Sequence, residues 1–258
     1  MYIQGRTQMI RGAKSYEEAI TRIADCGFDG VEINIYDYDF HLNEEFFHPG
    51  FGKRIKDYLQ KCGMKSCSVG AHMDYTESPE NMQKVMDAIH VVHELGAEVM
   101  IITGAFRREG EALKEQWKKQ IECMKVLTAQ AGENQVKLAI EYEPGFVIHN
   151  SDLLLNAIKE VGDPVIGVNA DIGHFFLEEQ DPMEGIEKLG PYIMHAHLEN
   201  MKRGVHNHLI PWVGDMDLEM YAQKLHAIGF DGCASLDVYQ YNYEEIAKES
   251  IQYLKKYF

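Results

Sequence analysis

Short apolar runs alternate with longer amphipathic segments along the whole chain, and this alternation constrains the fold more than any other feature. The apolar runs are YIQGRTQMI (2–10), GVEIN (30–34), KSCSV (65–69), EVMIIT (98–103), KLAIEY (137–142), VIGVNA (165–170), YIMHAHL (192–198) and CASLDVY (233–239). Each has the length of a strand buried on both faces. Helical patterns lie between them. In 15–27, Ser15 is placed as the cap, Glu17 and Glu18 fall in the first turn and Gly27 is the stop. In 78–96, Pro79 takes the first helical position and Gly96 ends the helix. Further helices are predicted over 109–132, 151–161, 182–189, 217–228 and 243–257. Eight strands, nearly all followed by a helix, in 258 residues predict an α/β chain forming one (β/α)8 barrel domain, 1–258. A doubly wound open sheet is the competing fold, but neither GxGxxG nor GxxxxGK[ST] is present. GFDGVEIN (27–34) returns as GFDGCASLD (229–237), a repeated helix stop, turn and strand entry.

The net charge of −16 repels phosphate backbones, and no Lys/Arg-rich run offsets it, so nucleic acid is not an expected partner. No stretch of 18 apolar residues is available to span a membrane, and MYIQGRTQMI lacks the apolar core of a signal peptide. A cytoplasmic location is the expectation. Cysteines 26, 62, 67, 123 and 233 form no CxxC pair, and reduced, mostly buried thiols are expected.

Strand phase directs attention to one end of the barrel. Alternate residues of a barrel strand face the interior and the helices. In the fifth run Leu138, Ile140 and Tyr142 face out, leaving Lys137, Ala139, Glu141 and then Glu143 inward. The sixth leaves Gly167, Asn169 and Asp171 inward, the seventh Ile193, His195 and His197, with Met194 outward, and the eighth Cys233, Ser235 and Asp237. Each therefore ends on an inward ionisable group: Glu141, Asp171, His197 and Asp237. Barrel enzymes place their chemistry at this C-terminal edge. Any one of these acids, taken singly, also suits a helix cap. Four in the same phase on consecutive strands point to a shared site. Three converging carboxylates repel, so some must be protonated or a cation must sit among them. A divalent ion with one imidazole and three carboxylate ligands meets that requirement. The oxygen-rich set suits Mn²⁺ or Mg²⁺, with Co²⁺, Fe²⁺ and Zn²⁺ also compatible.

The ordered motifs IEYEPG, GVNADIGH, HAHLEN, HNHLIPWVGDMD and GFDGCASLD resemble the xylose isomerase-like barrels. That superfamily holds sugar isomerases and epimerases of the D-tagatose 3-epimerase type, inositol-catabolism proteins, 3-dehydroshikimate dehydratases and an endonuclease IV branch. The resemblance implies a metal site at Glu141, Asp171, His197 and Asp237, and substrate contacts at His174 and Arg203. The chain departs from the epimerase pattern on the last strand, where Asp237 stands in place of glutamate.

The expected activity is a metal-dependent isomerase or epimerase acting on a ketose or related carbonyl, through α-proton removal and a metal-stabilised enediolate. Glu141 is the expected base and ligand, and Asp237 the second acid/base. His174, Arg203, His72, Glu143 and His208 are expected to bind substrate. His206 lies in the same loop, and Trp212 beside it could stack on a sugar or pack the loop. Tyr36, Tyr38 and Phe40 are candidates for an apolar wall. His195 reads as a donor behind the ligands, and His90 and His93 as packing or surface residues. A dehydratase on the same site is the first alternative, since elimination needs proton abstraction from one face only. An endonuclease IV-like phosphodiesterase and a non-catalytic subunit rank lower; the former lacks a histidine in IITGAF. The helix faces and the segment 246–258 could support a homo-oligomer.

Overall fold

The computed structural model describes residues 1–35, 42 and 44–258. Tyr36, Tyr38 and Phe40 lie outside the described residues. Eight parallel strands close into a barrel: β1 (Tyr2–Arg6), β2 (Gly30–Ile35), β3 (Ser68–Ala71), β4 (Val99–Thr103), β5 (Lys137–Glu141), β6 (Ile166–Asp171), β7 (Ile193–Leu198) and β10 (Cys233–Leu236). β10 pairs with β1, with Gln4 beside Ser235, and so closes the ring. A two-stranded hairpin, β8 (Asn200–Lys202) and β9 (Val205–Leu209), is inserted after β7.

The outward residues of the strands form the main core with the inner faces of the helices. Ile3, Ile33, Ile102, Ile140, Val168 and Leu236 are all essentially inaccessible there. Full burial of such side chains contributes about 1.5–3 kcal/mol each. The predicted caps are in place. Ser15 Oγ accepts from Glu18 N, and Ser78 Oγ from Asn81 N, at the starts of α1 (Tyr16–Cys26) and α3 (Pro79–Leu95). Gly27 and Gly96 end these helices in left-handed conformation. The helices α4 (Leu113–Glu133), α5 (Ser151–Val161), α7 (Pro182–Leu189), α8 (Leu218–Ala227) and α9 (Tyr243–Leu254) follow the predicted segments closely.

Several local expectations are corrected. The first run is a strand only to Arg6 and then turns through a 3-10 helix, Thr7–Met9. The third strand begins at Ser68 rather than Lys65. Two helices were not predicted: α2 (Phe51–Lys61), which buries Phe51, Ile55 and Leu59, and the short α6 (Ile172–Glu178) directly after β6. The register of β6 on β7 shifts between Val168 and Asn169, pairing Val168 with Ile193 and Asn169 with His195. This irregularity reverses the expected phase at the start of β7. Met194 packs inside the barrel on Val99, Ile101 and Ala139, while Ile193 packs against the outer core. Beyond the irregularity the predicted phase holds, and His195 and His197 face the interior.

The expectation of five reduced thiols is also overturned. Cys67, just before β3, and Cys233, the first residue of β10, form a disulfide with Cα atoms 6.5 Å apart. A separation of 166 residues hid the pairing from any local motif. Cys26, Cys62 and Cys123 are free. The bridge lies at the N-terminal end of the barrel, on a cavity of about 390 Å³ that His195 and Met194 also line. Among the described residues no helix is long and apolar enough to cross a membrane. Because the bridge closes a long loop of the unfolded chain, its reduction should cost about 2–4 kcal/mol. Thermal melting with and without reductant should therefore differ by roughly 4–10 °C, and Cys67→Ser should melt like the reduced protein. Identical melting curves would contradict a stabilising bridge.

Candidate metal centre

Two polar layers fill the upper barrel. In the lower one, Gln4 Nε2 donates to Ser68 Oγ at 2.8 Å, and His195 Nε2 lies 3.1 Å from Ser68 Oγ and 3.3 Å from Ser235 Oγ. His195 Nδ1 meets Asn169 Oδ1 at 2.8 Å. Burial pushes the His195 pKa down to about 3, so the ring is neutral. Asn169 Nδ2 donates in turn to Glu141 Oε2 at 2.5 Å. His195 thus orients Glu141 through Asn169, in keeping with the role expected of it behind the ligands.

In the upper layer the four expected residues converge. His197 Nδ1 lies 3.1 Å from Glu141 Oε2, 3.8 Å from Asp171 Oδ2 and 3.6 Å from Asp237 Oδ2. All four side chains are buried. Asp171 does two things at once. Its Oδ1 caps α6 by accepting from His174 N at 2.8 Å, while its Oδ2 is buried with no hydrogen-bond partner. The strand at 165–170 ends on a carboxylate that serves as both a cap and a member of the cluster.

The other end of the His197 ring is held firmly. Its Nε2 donates to Glu32 Oε2 at 3.1 Å, leaving Nδ1 turned to the carboxylates, nearest to Glu141 Oε2. Glu32 also accepts from Ser235 Oγ at 2.6 Å, Asn34 Nδ2 at 2.9 Å and Arg6 Nε at 2.9 Å. Gly70 makes room for this arrangement: a Cβ there would lie 2.6 Å from Asn34 Nδ2 and 3.0 Å from Glu32 Oε1. Arg6 also makes a close ion pair with Asp237 Oδ1. Burial opposes ionisation of Glu32 and Asp237, yet Arg6 holds both carboxyls below their usual range. Burial likewise opposes ionisation of Glu141, and the His197 charge outweighs it, keeping that carboxyl well below its usual range. Burial lowers the His197 pKa, but Glu141 and Glu32 on its two sides raise it well above the ordinary value.

A cleft of about 280 Å³ opens above this cluster. His72, Glu143, His174, His206 and His208 line it, opposite an apolar wall of Phe106 and Phe146, whose ring centroids are 4.3 Å apart. His174 Nε2 lies 3.0 Å from His206 Nε2, and His208 Nε2 3.2 Å from the same atom. His208 Nδ1 stands 3.4 Å from Asp237 Oδ2 and His174 Nδ1 3.7 Å from Glu141 Oε1. Burial and the neighbouring carboxylates push the half-buried Glu143 up to about 8, with His174 opposing.

Arg203, expected at the substrate, is not among the residues lining this cleft, and of the two roles open to Trp212 the structure shows packing. Arg203 sits in the exposed turn between β8 and β9, with its guanidinium 4.3 Å over the Phe176 ring. The same hairpin places His206 and His208 on the cleft. Trp212 packs near Tyr253, at 6.0 Å between centroids, and not on the cleft. His90 is a surface residue bonded to Asn134 Oδ1 at 2.8 Å, as expected. The sequence reading missed Arg6, Glu32 and Glu199. Glu199 is buried, accepts from Gly173 N at 2.6 Å and has an unpartnered Oε2. The inward phase of β1 and β2, had it been applied there, would have selected Gln4, Arg6, Glu32 and Asn34.

The donor set fits a divalent cation. Glu141, Asp171 and His197 each offer a ligand atom within one small sphere, and Asp171, Glu199, His208 and Asp237 form a second grouping that shares Asp171 with the first. Asp171 Oδ2, His197 Nδ1 and His208 Nδ1 are buried without a well-formed hydrogen bond, and the two nitrogens instead face the carboxylates of Glu141 and Asp237. A model of the xylose isomerase-like TIM barrel family matches residues 20–257. The chain belongs to this family. Within it, inosose dehydratase of Clostridium perfringens is 22% identical over 204 residues, covering 73% of this chain and 65% of the relative. A D-psicose 3-epimerase structure from Clostridium cellulolyticum H10 superposes with a TM-score of 0.83 at 15% identity, covering 100% of this chain and 99% of that one. An IOLI protein with a bound zinc atom superposes at 0.82 and 18% identity, covering 100% and 99%.

Because the His197 pKa is raised in the ion-free protein, an ion binding at Nδ1 must displace a proton. Proton competition then persists through neutral pH and weakens as pH rises. Mn²⁺ affinity measured by calorimetry between pH 6.5 and 8 should increase as pH rises, with protons released on binding; a flat profile would contradict ligation at that nitrogen.

Proposed function

We propose that the chain is a divalent-metal-dependent isomerase or epimerase that removes an α-proton next to the carbonyl of a sugar or sugar-derived polyol. One observation supports this above the others: Glu141, Asp171 and Asp237 converge on His197 Nδ1 beneath an open cleft, with Asp171 Oδ2 buried and making no hydrogen bond. A divalent ion there, Mn²⁺ foremost, would supply Lewis acidity to the substrate's carbonyl and adjacent hydroxyl oxygen.

The chain's own residues supply the rest. Glu141 Oε1 faces the cleft side of the cluster and takes the proton from carbon, while Asn169 holds its Oε2. Glu143, which retains its proton near neutral pH, donates to a substrate oxygen. His174 and His208 orient hydroxyl groups along the polar wall, and His72 meets the opposite end. Phe106 and Phe146 cover the C–H face and keep water from it. The names of the relatives, a D-psicose 3-epimerase and an inosose dehydratase, agree with a polyhydroxylated carbonyl substrate.

The Arg6–Asp237 ion pair favours a second reading, dehydration at the same site. With Asp237 Oδ1 engaged by arginine, proton transfer on its face of the substrate is hindered, and elimination needs one abstracting face only. Product NMR in D₂O from D-psicose, D-tagatose, an inosose and 3-dehydroshikimate with Mn²⁺ separates the two. Deuterium in a recovered epimer or isomer supports the first reading, and loss of water the second. Glu141→Gln should lower turnover by about 10³-fold or more under either. Full activity of that variant would remove Glu141 from the chemistry.

A further inference from the structure

Arg6 is the buried cation nearest the metal centre, and nothing in the functional reading above requires it to touch substrate. Its side chain and those of both its carboxylate partners are almost wholly inaccessible. Its Nε donates to Glu32 Oε1 at 2.9 Å, and its Nη1 to Asp237 Oδ1. Its Nη1 also reaches Tyr239 Oη at 3.2 Å and its Nη2 His72 Nε2 at 3.3 Å. The backbone is pinned as well: Tyr243 Oη receives Arg6 N at 3.4 Å and donates to Leu236 O at 2.9 Å, next to the point where Asp237 leaves β10.

We propose that Arg6 is a positioning residue that sets two of the four metal ligands at once, Asp237 directly and His197 through Glu32. The direct arm takes one oxygen of Asp237 and leaves Oδ2 alone facing the cluster, 3.6 Å from His197 Nδ1. Asp237 is thereby a one-oxygen ligand. The indirect arm fixes Glu32, whose Oε2 accepts the Nε2 proton of His197 and so turns Nδ1 toward the ion. A planar fork can serve both acids in one rigid geometry, whereas a lysine ammonium is a single point of charge. Outer residues of this kind commonly alter metal affinity 10–100-fold.

This inference rests on the proposed metal centre, and Mn²⁺ itself is the probe. The full chain, Arg6→Lys and Glu32→Gln are compared by calorimetry, by Mn²⁺ electron paramagnetic resonance and by thermal melting without metal. Both variants should bind Mn²⁺ about tenfold or more weakly and give an altered Mn²⁺ spectrum. An arginine that merely supports the fold would lower the melting temperature and leave affinity and spectrum unchanged, which overturns the proposal. Should the variants not fold, the Mn²⁺-bound unaltered protein still decides. Asp237 should reach the ion through one oxygen and Arg6 through the other; a bidentate Asp237 released from Arg6 overturns the proposal and leaves the metal centre standing. An unaltered protein that takes up no Mn²⁺ removes the functional reading itself, and this inference with it.

Discussion

Repulsion among buried carboxylates is the constraint on which the upper barrel depends. Glu141, Asp171 and Asp237 all approach His197 Nδ1, Glu199 stands in one group with Asp171 and Asp237, and Glu32 lies on the far side of the His197 ring. In a low-dielectric interior such a group does not persist uncompensated. The protein compensates it in layers. Arg6 lies between Glu32 and Asp237, and His197 lies between Glu32 and Glu141. Neutral donors satisfy the remaining oxygens: Ser235 and Asn34 on Glu32, Asn169 on Glu141 and the α6 N-terminus on Asp171. The oxygens and nitrogens left over are those that face one another across the centre, which is the pattern a divalent cation completes.

Much of this was legible in the sequence, for a reason specific to barrels. A strand's period of two converts spacing into direction, so Glu141, Asp171, His197 and Asp237 could be placed inward from their neighbours alone. The four do converge. What spacing could not reveal was pairing across the ring. Arg6 and Asp237 are 231 residues apart and meet because β10 pairs with β1, whereas Cys67 and Cys233, 166 apart, join the entry of β3 to that of β10, which are not neighbours in the closed ring. The irregularity that turns Met194 inward was equally hidden, because nothing in IMHAHL marks where β6 changes register against it.

The loops were the least legible part. Arg203 was placed at the substrate through a motif match, but the turn of the β8–β9 hairpin carries its guanidinium onto Phe176. The same hairpin delivers His206 and His208 to the cleft, so one short insertion decides which of three polar residues line it. The imidazole-lined wall that results, set against Phe106 and Phe146, is where discrimination among related polyols would be exercised. Barrel loops commonly carry such differences while the strands keep the chemistry constant.

The central claim is that three acids and one imidazole share a cation. Anomalous scattering from crystals soaked in Mn²⁺ tests it most directly. The account predicts one strong peak bounded by Glu141, Asp171, Asp237 and Nδ1 of His197, with the side chains drawn toward it. A map with no peak there, or with the ion bound elsewhere while these four groups stay hydrogen-bonded among themselves, would contradict it.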